Sequence, residues 1–264
     1  MSDIRVGVLG IGSMGRHHVR NARETEGFEL VALADPGGDR FDVARGMEVL
    51  PGVEQMLEVG IDAAVVAVPT AYHFEAVMKL AEAGVHTLVE KPLASTLEEG
   101  EAMVKAFDEA GVVGAVGYVE RCNPALLEMR RLVSEGYLGE VYQVVTRRQS
   151  PFPARISDVG VVKDLATHDV DLAAWVAGSE YESIYAQTAY RSGREFEDMV
   201  SATGRFKNGV LVSHLVNWLT PFKDRITIVT GERGALVADT AMSDLTFYEN
   251  GRFPVEWDQI AAFR

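Results

Sequence analysis

Val6-Gly7-Val8-Leu9-Gly10-Ile11-Gly12-Ser13-Met14-Gly15 decides how this chain folds. An apolar run enters Gly10, Gly12 and Gly15, the G-x-G-x-x-G spacing of a dinucleotide-binding strand–turn–helix. Gly10 permits the tight turn. Gly12 lets backbone approach a pyrophosphate without a Cβ in the way. Gly15 lets the next helix pack close to the strand, and that helix's free N–H groups and dipole favour an anion. Residues Gly10, Ile11, Gly12, Ser13, Met14 and Gly15 are therefore the expected cofactor cradle. Asp35 ends the next apolar run, Leu30-Val31-Ala32-Leu33-Ala34. A carboxylate there would accept the ribose hydroxyls and repel a 2′-phosphate, which favours NAD. Arg40 in the following loop leaves NADP open. The competing reading is a plain strand–turn–helix, with Asp35 a turn residue before Pro36.

The surrounding composition suits a large enzyme-like protein. The chain has 264 residues, a length that predicts two domains, and 47% are hydrophobic, enough for a sizeable core. No apolar run reaches membrane-span length, and no charged-then-apolar leader precedes Ile4, so a soluble cytoplasmic protein is expected. Cys122 is the single cysteine, which excludes an internal disulfide and reads as a small buried apolar residue. The net charge of −14 argues against nucleic acid or an anionic membrane as the main partner.

Residues 1–119 alternate strand and helix patterns. Strands are predicted at 4–9, 30–34, 61–68, 85–89 and 112–116. Helices are predicted at 14–24, 53–59, 72–83 and from a Ser95 or Thr96 cap to 110, with 36–46 a loop or weak helix. The run Ile61-Asp62-Ala63-Ala64-Val65-Val66-Ala67-Val68 reads as a central strand covered on both faces. This alternation predicts an α/β Rossmann domain with a doubly wound parallel sheet, whose ligands sit at the carboxyl ends of its strands. Residues 120–264 change character. Helices at 124–136 and 163–177 accompany strand patterns at 141–147, 184–190, 199–206, 210–219, 225–230, 235–239 and 245–248. Residues 148–163 read as a polar loop. Asn208-Gly209 is a strong hairpin signal. The expectation is an α+β C-terminal domain with an open, mainly antiparallel sheet. The pattern stops at Arg264 without a final helix, so that end of the sheet is expected to be incomplete.

Several residues outside the glycine turn could carry chemistry. Glu90-Lys91-Pro92 ends a strand, so Lys91 faces the ligand crevice and could donate to a substrate hydroxyl or lower its pKa. The residue before proline is pushed from helical geometry, and the bond itself can be cis. Pro69, Thr70 and His73 follow another strand end and could reach the nicotinamide side. Asp164 and His168 stand four apart in a helical pattern and so share a face, with Asp171 three further on. Histidine is the natural proton-transfer group near neutral pH, and a neighbouring carboxylate can orient it. A divalent metal on this face is the weaker reading, since no H-x-x-x-H or cysteine cluster supports it, and the expected metal set is none. Arg147, Arg148 and Arg155 gather in an acidic protein, and guanidinium forks match phosphate oxygens. Lys163 and Trp218 extend this candidate substrate set. His17 and His18 read as packing or solvent histidines. Each of these features also has a bland reading as a capped helix or solvated charged surface.

Gly10 to Gly15, Pro69-Thr70 with His73, Glu90-Lys91-Pro92, and Asp164 with His168 in Asp164-Leu165-Ala166-Thr167-His168-Asp169 together resemble the Gfo/Idh/MocA oxidoreductases. The resemblance runs in order through almost the whole chain. It implies that Lys91, Asp164 and His168 meet at the nicotinamide, that Glu90 borders the cofactor, and that the bond before Pro92 is cis. It also implies homodimers or homotetramers formed through the open face of the C-terminal sheet. The segment after Asp35 is shorter than is usual in that family. A narrower resemblance rests on residues 117–124, 156–164 and 216–221, which look like the UDP-N-acetylglucosamine 3-dehydrogenase branch, whose product feeds amination at C3.

The function expected from these readings is NAD(P)-dependent oxidation of a pyranose secondary alcohol, at C3 of a UDP-N-acetylhexosamine. Lys91 or His168 takes the hydroxyl proton, the other polarises the oxygen, and Asp164 orients the pair. One alternative keeps the chemistry but takes a free polyol such as inositol or glucose; Arg148 and Arg155 discriminate, since they would have to face the ligand for the activated sugar. The other alternative is a dinucleotide-binding regulator without turnover.

Overall fold

A computed structural model of the chain describes residues 3–153, 156 and 159–251. It divides into two compact units, Met1–Gly117 and Tyr118–Arg264.

The first unit is a six-stranded parallel sheet. Its strands are β1 (Ile4–Leu9), β2 (Phe28–Ala34), β3 (Val49–Leu50), β4 (Ala63–Val66), β5 (His86–Val89) and β6 (Gly114–Val116), in the order β3-β2-β1-β4-β5-β6. Helices α1 (Gly15–Glu24), α2 (Val53–Glu58), α3 (His73–Glu82) and α4 (Leu97–Ala110) connect them. Alternate residues of β1 and β2 enter different apolar clusters: Val8 and Leu33 join Ile11 and Val19 of the α1 side, whereas Leu9 and Ala34 join Met56, Val77, Leu80 and Met103. Successive strand side chains point to opposite faces, so the sheet is covered on both, and the strands read as continuous apolar runs. Each fully buried Leu or Met side chain contributes about 1.5–3 kcal/mol. The strand order reverses between β1 and β4, which puts the open crevice at their carboxyl ends, beside Gly10. Thr96 caps α4 by accepting from Glu99 N at 3.2 Å, and Gly111 ends that helix in the left-handed region. The segment 36–48 forms no helix. Asp39 ties it into a loop by accepting from the Val43 and Ala44 amides at 3.0 and 2.7 Å, and Ala44 covers the α1 side of the sheet in place of a helix.

The second unit holds a seven-stranded sheet. Its strands are β7 (Val141–Pro151), β8 (Tyr181–Ala189), β9 (Met199–Phe206), β10 (Leu211–Asn217), β11 (Leu219–Gly231), β12 (Gly234–Asp239) and β13 (Asp244–Glu249), ordered β13-β12-β11-β7-β10-β9-β8. Every neighbouring pair is antiparallel except β10 with β7. Asn208-Gly209 does turn β9 into β10, with Gly209 at φ 89°. Helices α5 (Pro124–Ser134) and α6 (Thr167–Ala177) cover one face, where Leu126, Met129, Leu172 and Val176 meet Val144, Val212, Val229 and Leu236. The edge strand β8 is exposed from Glu182 to Thr188.

Two boundaries differ from the sequence reading in ways that matter for function. The segment at 148–151 is not a loop: β7 runs four residues further than the pattern predicts. Val144, Thr146 and Arg148 are all buried, so Arg148 continues the inward-facing alternation. A charged residue at an inward position hides the strand from a hydrophobicity pattern. The helix expected at 163–177 begins as a wide π-turn, Val162–Ala166, and becomes α-helical only at Thr167. Cys122 lies exposed, in a short 3-10 turn, rather than buried. No helix among the described residues is long and apolar enough to cross a membrane.

Candidate functional site

In the first unit the candidate site is built mostly from backbone. Gly10 N donates to the Ala34 carbonyl at 2.7 Å, drawing the turn onto the end of β2. Gly10 has φ 85°, and a Cβ there would stand 2.7 Å from Ala67 C and Val68 N. A Cβ on Gly15 would stand 1.8 Å from the Gly10 carbonyl oxygen. Both positions accept only glycine, one for its conformation and both for space. Gly12 is different: a Cβ there would meet nothing within 4 Å. Its missing side chain leaves open space over the turn, which is the cradle a pyrophosphate needs. α1 begins behind it with no acidic residue in its first turn and no side-chain cap, its Arg16 and His17 amides donating to the Gly12 and Met14 carbonyls at 3.0 and 2.9 Å. The residues present fit a dinucleotide.

Asp35 holds this turn in place. Its Oδ2 accepts from Ile11 N at 2.9 Å and its Oδ1 from Gly37 N at 2.7 Å. The carboxylate thus ties the glycine turn to the end of β2 while keeping lone pairs for ribose hydroxyls. Pro69 and Thr70 lead from β4 into a 3-10 turn at Thr70–Tyr72. His73 behaves differently from the sequence expectation. It is 1% exposed, and its ring nitrogens face three carbonyl oxygens: Val68 at 2.9 Å, Pro92 at 3.1 Å and Leu93 at 3.2 Å. It staples two strand-end turns together rather than offering a nitrogen to the cofactor.

Those turns present Lys91. The Lys91–Pro92 bond is cis. Glu90 is buried, and its Oε1 accepts from His18 Nε2 at 2.7 Å while Oε2 accepts from Lys91 N at 3.2 Å. Burial pushes the Glu90 carboxyl up, but the His18 contact and the Lys91 amide outweigh it and hold it below the usual carboxylate range. Gly117 leaves room for this carboxyl, since a Cβ there would lie 3.3 Å from it. Glu90 therefore supports the lysine turn from behind. His18, which the sequence reads as a packing or solvent histidine, is the partner of Glu90; the two are 72 positions apart, so no local signal marks the pair.

In the second unit, Asp164 lies in the π-turn and His168 is the second residue of α6. Lys163 is exposed beside them. Asp171, on the next turn, accepts from Arg121 Nε at 2.9 Å. Of the three arginines expected to gather for a phosphate, the two described ones are each paired with carboxylates. Arg147 pairs with Asp224 at 3.1 Å. Arg148 is 3% exposed and lies between two carboxylates, with Nε donating to Asp169 Oδ2 and Nη1 to Glu120 Oε1, both at 2.7 Å. Arg155 lies outside the described residues. Burial alone would lower the Arg148 pKa, but Asp169 and Glu120 raise it, so the guanidinium stays charged. Burial raises the Asp169 carboxyl against the pull of Arg148. For Glu120 burial also raises, but the charge and hydrogen bond of Arg148 win and it is held low. Arg148 is thus a core ion-pair residue that ties α6 to β7, not a surface ligand. Trp218 is 3% exposed and packs with Val161, Leu165 and Ala166 beneath the π-turn. Its Nε1 has no hydrogen-bond partner among the described residues.

A family profile described as "Oxidoreductase family, NAD-binding Rossmann fold" matches residues 4–118, and one described as "GFO/IDH/MocA C-terminal domain" matches residues 126–237. The chain belongs to the Gfo/Idh/MocA oxidoreductase family. It is 35% identical over 192 residues to scyllo-inositol 2-dehydrogenase (NAD(+)) of Bacillus subtilis, covering 69% of this chain and 56% of that relative. It is 29% identical over 216 residues to UDP-N-acetylglucosamine 3-dehydrogenase of Acidithiobacillus ferrooxidans, covering 81% of this chain and 66% of the relative. The matched region therefore spans less than two thirds of each. The solved structure of that second enzyme superposes with a TM-score of 0.84 at 26% identity, over 99% of this chain and 86% of the other. The WlbA dehydrogenase of Bordetella pertussis, in complex with NADH and UDP-GlcNAcA, gives a TM-score of 0.86 at 29% identity, over 96% of this chain and 79% of that one. The cofactor class of this Gfo/Idh/MocA chain is accordingly a nicotinamide dinucleotide, and its fold is that of sugar and polyol dehydrogenases.

Proposed function

We propose that this protein is an NAD-dependent dehydrogenase that oxidises a secondary alcohol on a sugar ring, with C3 of a UDP-N-acetylhexosamine as the substrate position. The observation that carries the dehydrogenase reading is the open Gly12 cradle together with a lysine presented by a buried, hydrogen-bonded glutamate at a neighbouring strand end. Bound NAD supplies the hydride acceptor. Lys91, Asp164 and His168 share the rest. One of Lys91 and His168 removes the hydroxyl proton, the other donates a hydrogen bond to the oxygen as the carbonyl forms, and Asp164 orients them. Asp35 supports NAD in this reading: its oxygens take the Ile11 and Gly37 amides at the end of β2, where a carboxylate accepts ribose hydroxyls and repels a 2′-phosphate.

The likeness to WlbA and to the Acidithiobacillus enzyme supports the activated sugar. A second reading, a free polyol such as an inositol, is favoured by the burial of Arg148, which removes one cation from the set expected to meet a diphosphate, and by the B. subtilis relative. Assembly into homodimers or homotetramers through the open sheet face belongs to this proposal too. The deciding experiment offers UDP-N-acetylglucosamine and scyllo-inositol separately with NAD and follows formation of the reduced cofactor. Turnover of the nucleotide sugar alone is expected. Turnover of the polyol alone selects the second reading. No hydride transfer with either, despite tight NAD binding, removes the enzyme reading in favour of a dinucleotide sensor.

A further inference from the structure

The connection between β8 and β9 grips the segment that leads into Asp164. Arg194 Nη2 donates to the Val159 carbonyl at 3.2 Å, with its guanidinium 4.1 Å from the Phe152 ring centre and 5.2 Å from that of Trp218. Glu197 holds the next residues twice. Its backbone carbonyl accepts from Val161 N at 3.0 Å, and its side-chain Oε1 accepts from Val162 N at 3.0 Å. The second of these amides is the first of the π-turn, and the residue before that turn, Val161, provides no side-chain cap. Helix starts leave N–H groups unsatisfied, and a Ser, Thr, Asp or Asn just upstream ordinarily serves them. Here the acceptor comes from 35 positions further along the chain. Gly160 makes room for it: a Cβ there would lie 2.0 Å from the Glu197 carboxyl carbon and Oε1.

We propose that Glu197 is a positioning residue for Asp164 and His168. Its carboxylate fixes where the wide turn begins. π-turns are uncommon and marginal, and collapse to the α-helical register would rotate Asp164 about the axis relative to His168. A carboxylate cap also places negative charge at a helix start, where it is favourable. Gly160 and Glu197 then form one device: the glycine is required because the carboxylate occupies the space its side chain would take. The inference rests on the proposed role of Asp164 and His168, but the gripping of the turn can be measured apart from it.

The test compares wild type with Glu197→Ala, Glu197→Gln and Gly160→Ala. Steady-state rates, NADH affinity by fluorescence, and hydrogen exchange of peptides covering residues 159–168 are recorded for each. Glu197→Ala is expected to lower kcat by about 10- to 100-fold through misplacement of the catalytic pair, with NADH affinity unchanged and exchange in 159–168 faster. Glu197→Gln keeps an acceptor oxygen and is expected to restore kcat to within about threefold of wild type, so the loss tracks the cap rather than bulk. Gly160→Ala should reproduce the loss by evicting the carboxylate, and the double variant should be no slower than the worse single one. Full kcat in Glu197→Ala, while His168→Ala is inactive, overturns the proposal and leaves the function standing; additive losses in the double variant overturn it as well. If His168→Ala and Asp164→Ala both keep full activity, the functional reading fails instead, and exchange decides the cap alone: faster supports it, unchanged overturns it. Should Glu197→Ala not fold, Glu197→Asp carries the same comparison.

Discussion

The two candidate regions reach the same end, a rigidly presented polar group, by opposite means. In the first unit the strand ends of a parallel sheet do the work. Gly10, Gly12, Gly15 and Asp35 lie within 26 consecutive residues, and backbone amides make most of the contacts. In the second unit the π-turn and α6 are held by side chains from elsewhere in the chain: Arg148 on Asp169, and Glu197 on Val162. A crevice at a topological switch point is provided by the architecture, whereas the helix start packed against the mixed sheet is held by side chains distant in the chain, through one ion pair and one carboxylate that accepts from an amide. The first kind tolerates substitution of its surroundings and not of its glycines. The second depends on buried charges whose loss is felt throughout the unit.

The sharpest test of the comparison removes one polar group from each region. Lys91→Ala and His168→Ala are each expected to cut kcat by about 10²–10⁴-fold, the range for a lost general acid or base, with NAD binding retained; full activity in both would break the shared-chemistry reading. Next, Arg148→Ala leaves Asp169 and Glu120 buried without their cation and is expected to destabilise by about 3–5 kcal/mol in denaturant unfolding. A phosphate ligand would instead show a raised KM for nucleotide sugars at normal stability.

A third, smaller effect separates the units by pH. His214 is buried in the second unit, its Nδ1 hydrogen-bonded with Thr146 Oγ1 at 2.7 Å and its Nε2 with the Tyr181 hydroxyl at 2.9 Å. Burial lowers its pKa from 6.5 to about 4. Between those values the unfolded chain binds a proton that the folded one refuses. Stability from this residue is therefore complete above pH 6.5 and is lost as pH falls towards 4, amounting to about 3 kcal/mol. Unfolding midpoints measured across that window should fall for wild type, and fall less for His214→Gln. The mildest contrast lies inside the glycine turn. Gly15→Ala drives a methyl into the Gly10 carbonyl and should cost about 1–3 kcal/mol of stability. Gly12→Ala meets open space, so the thermal midpoint should stay put while NAD affinity drops by about tenfold, or 1.4 kcal/mol. Equal behaviour of the two glycines would remove the cradle argument.

Legible and hidden residues occur in both units, and what separates them is whether the partner lies near in the chain. The glycine turn and Asp35 are legible from local spacing, whereas the cis bond before Pro92 is expected from the family resemblance. Arg148 reads as a loop cation because a charged residue after Val144 and Thr146 breaks the alternation of a hydrophobicity pattern, while in the fold it continues it, neutralised by Glu120 and Asp169. His73 follows a strand end, as its sequence position implies, but its nitrogens face carbonyls that only the folded turns bring together. His18 and Glu197 carried no signal, since their partners are 72 and 35 positions away.

By itself the sequence determined the parallel sheet, its glycine turn and the order of its longer elements, because hydrophobic period and glycine spacing act over a few residues; the two-residue strand β3 is too short to show a period. Tertiary structure alone decided which charges are buried, which histidine supports Glu90, and what caps the turn that carries Asp164. Those choices depend on pairing a charge with a partner distant in the chain, and a buried charge without that partner would cost several kcal/mol.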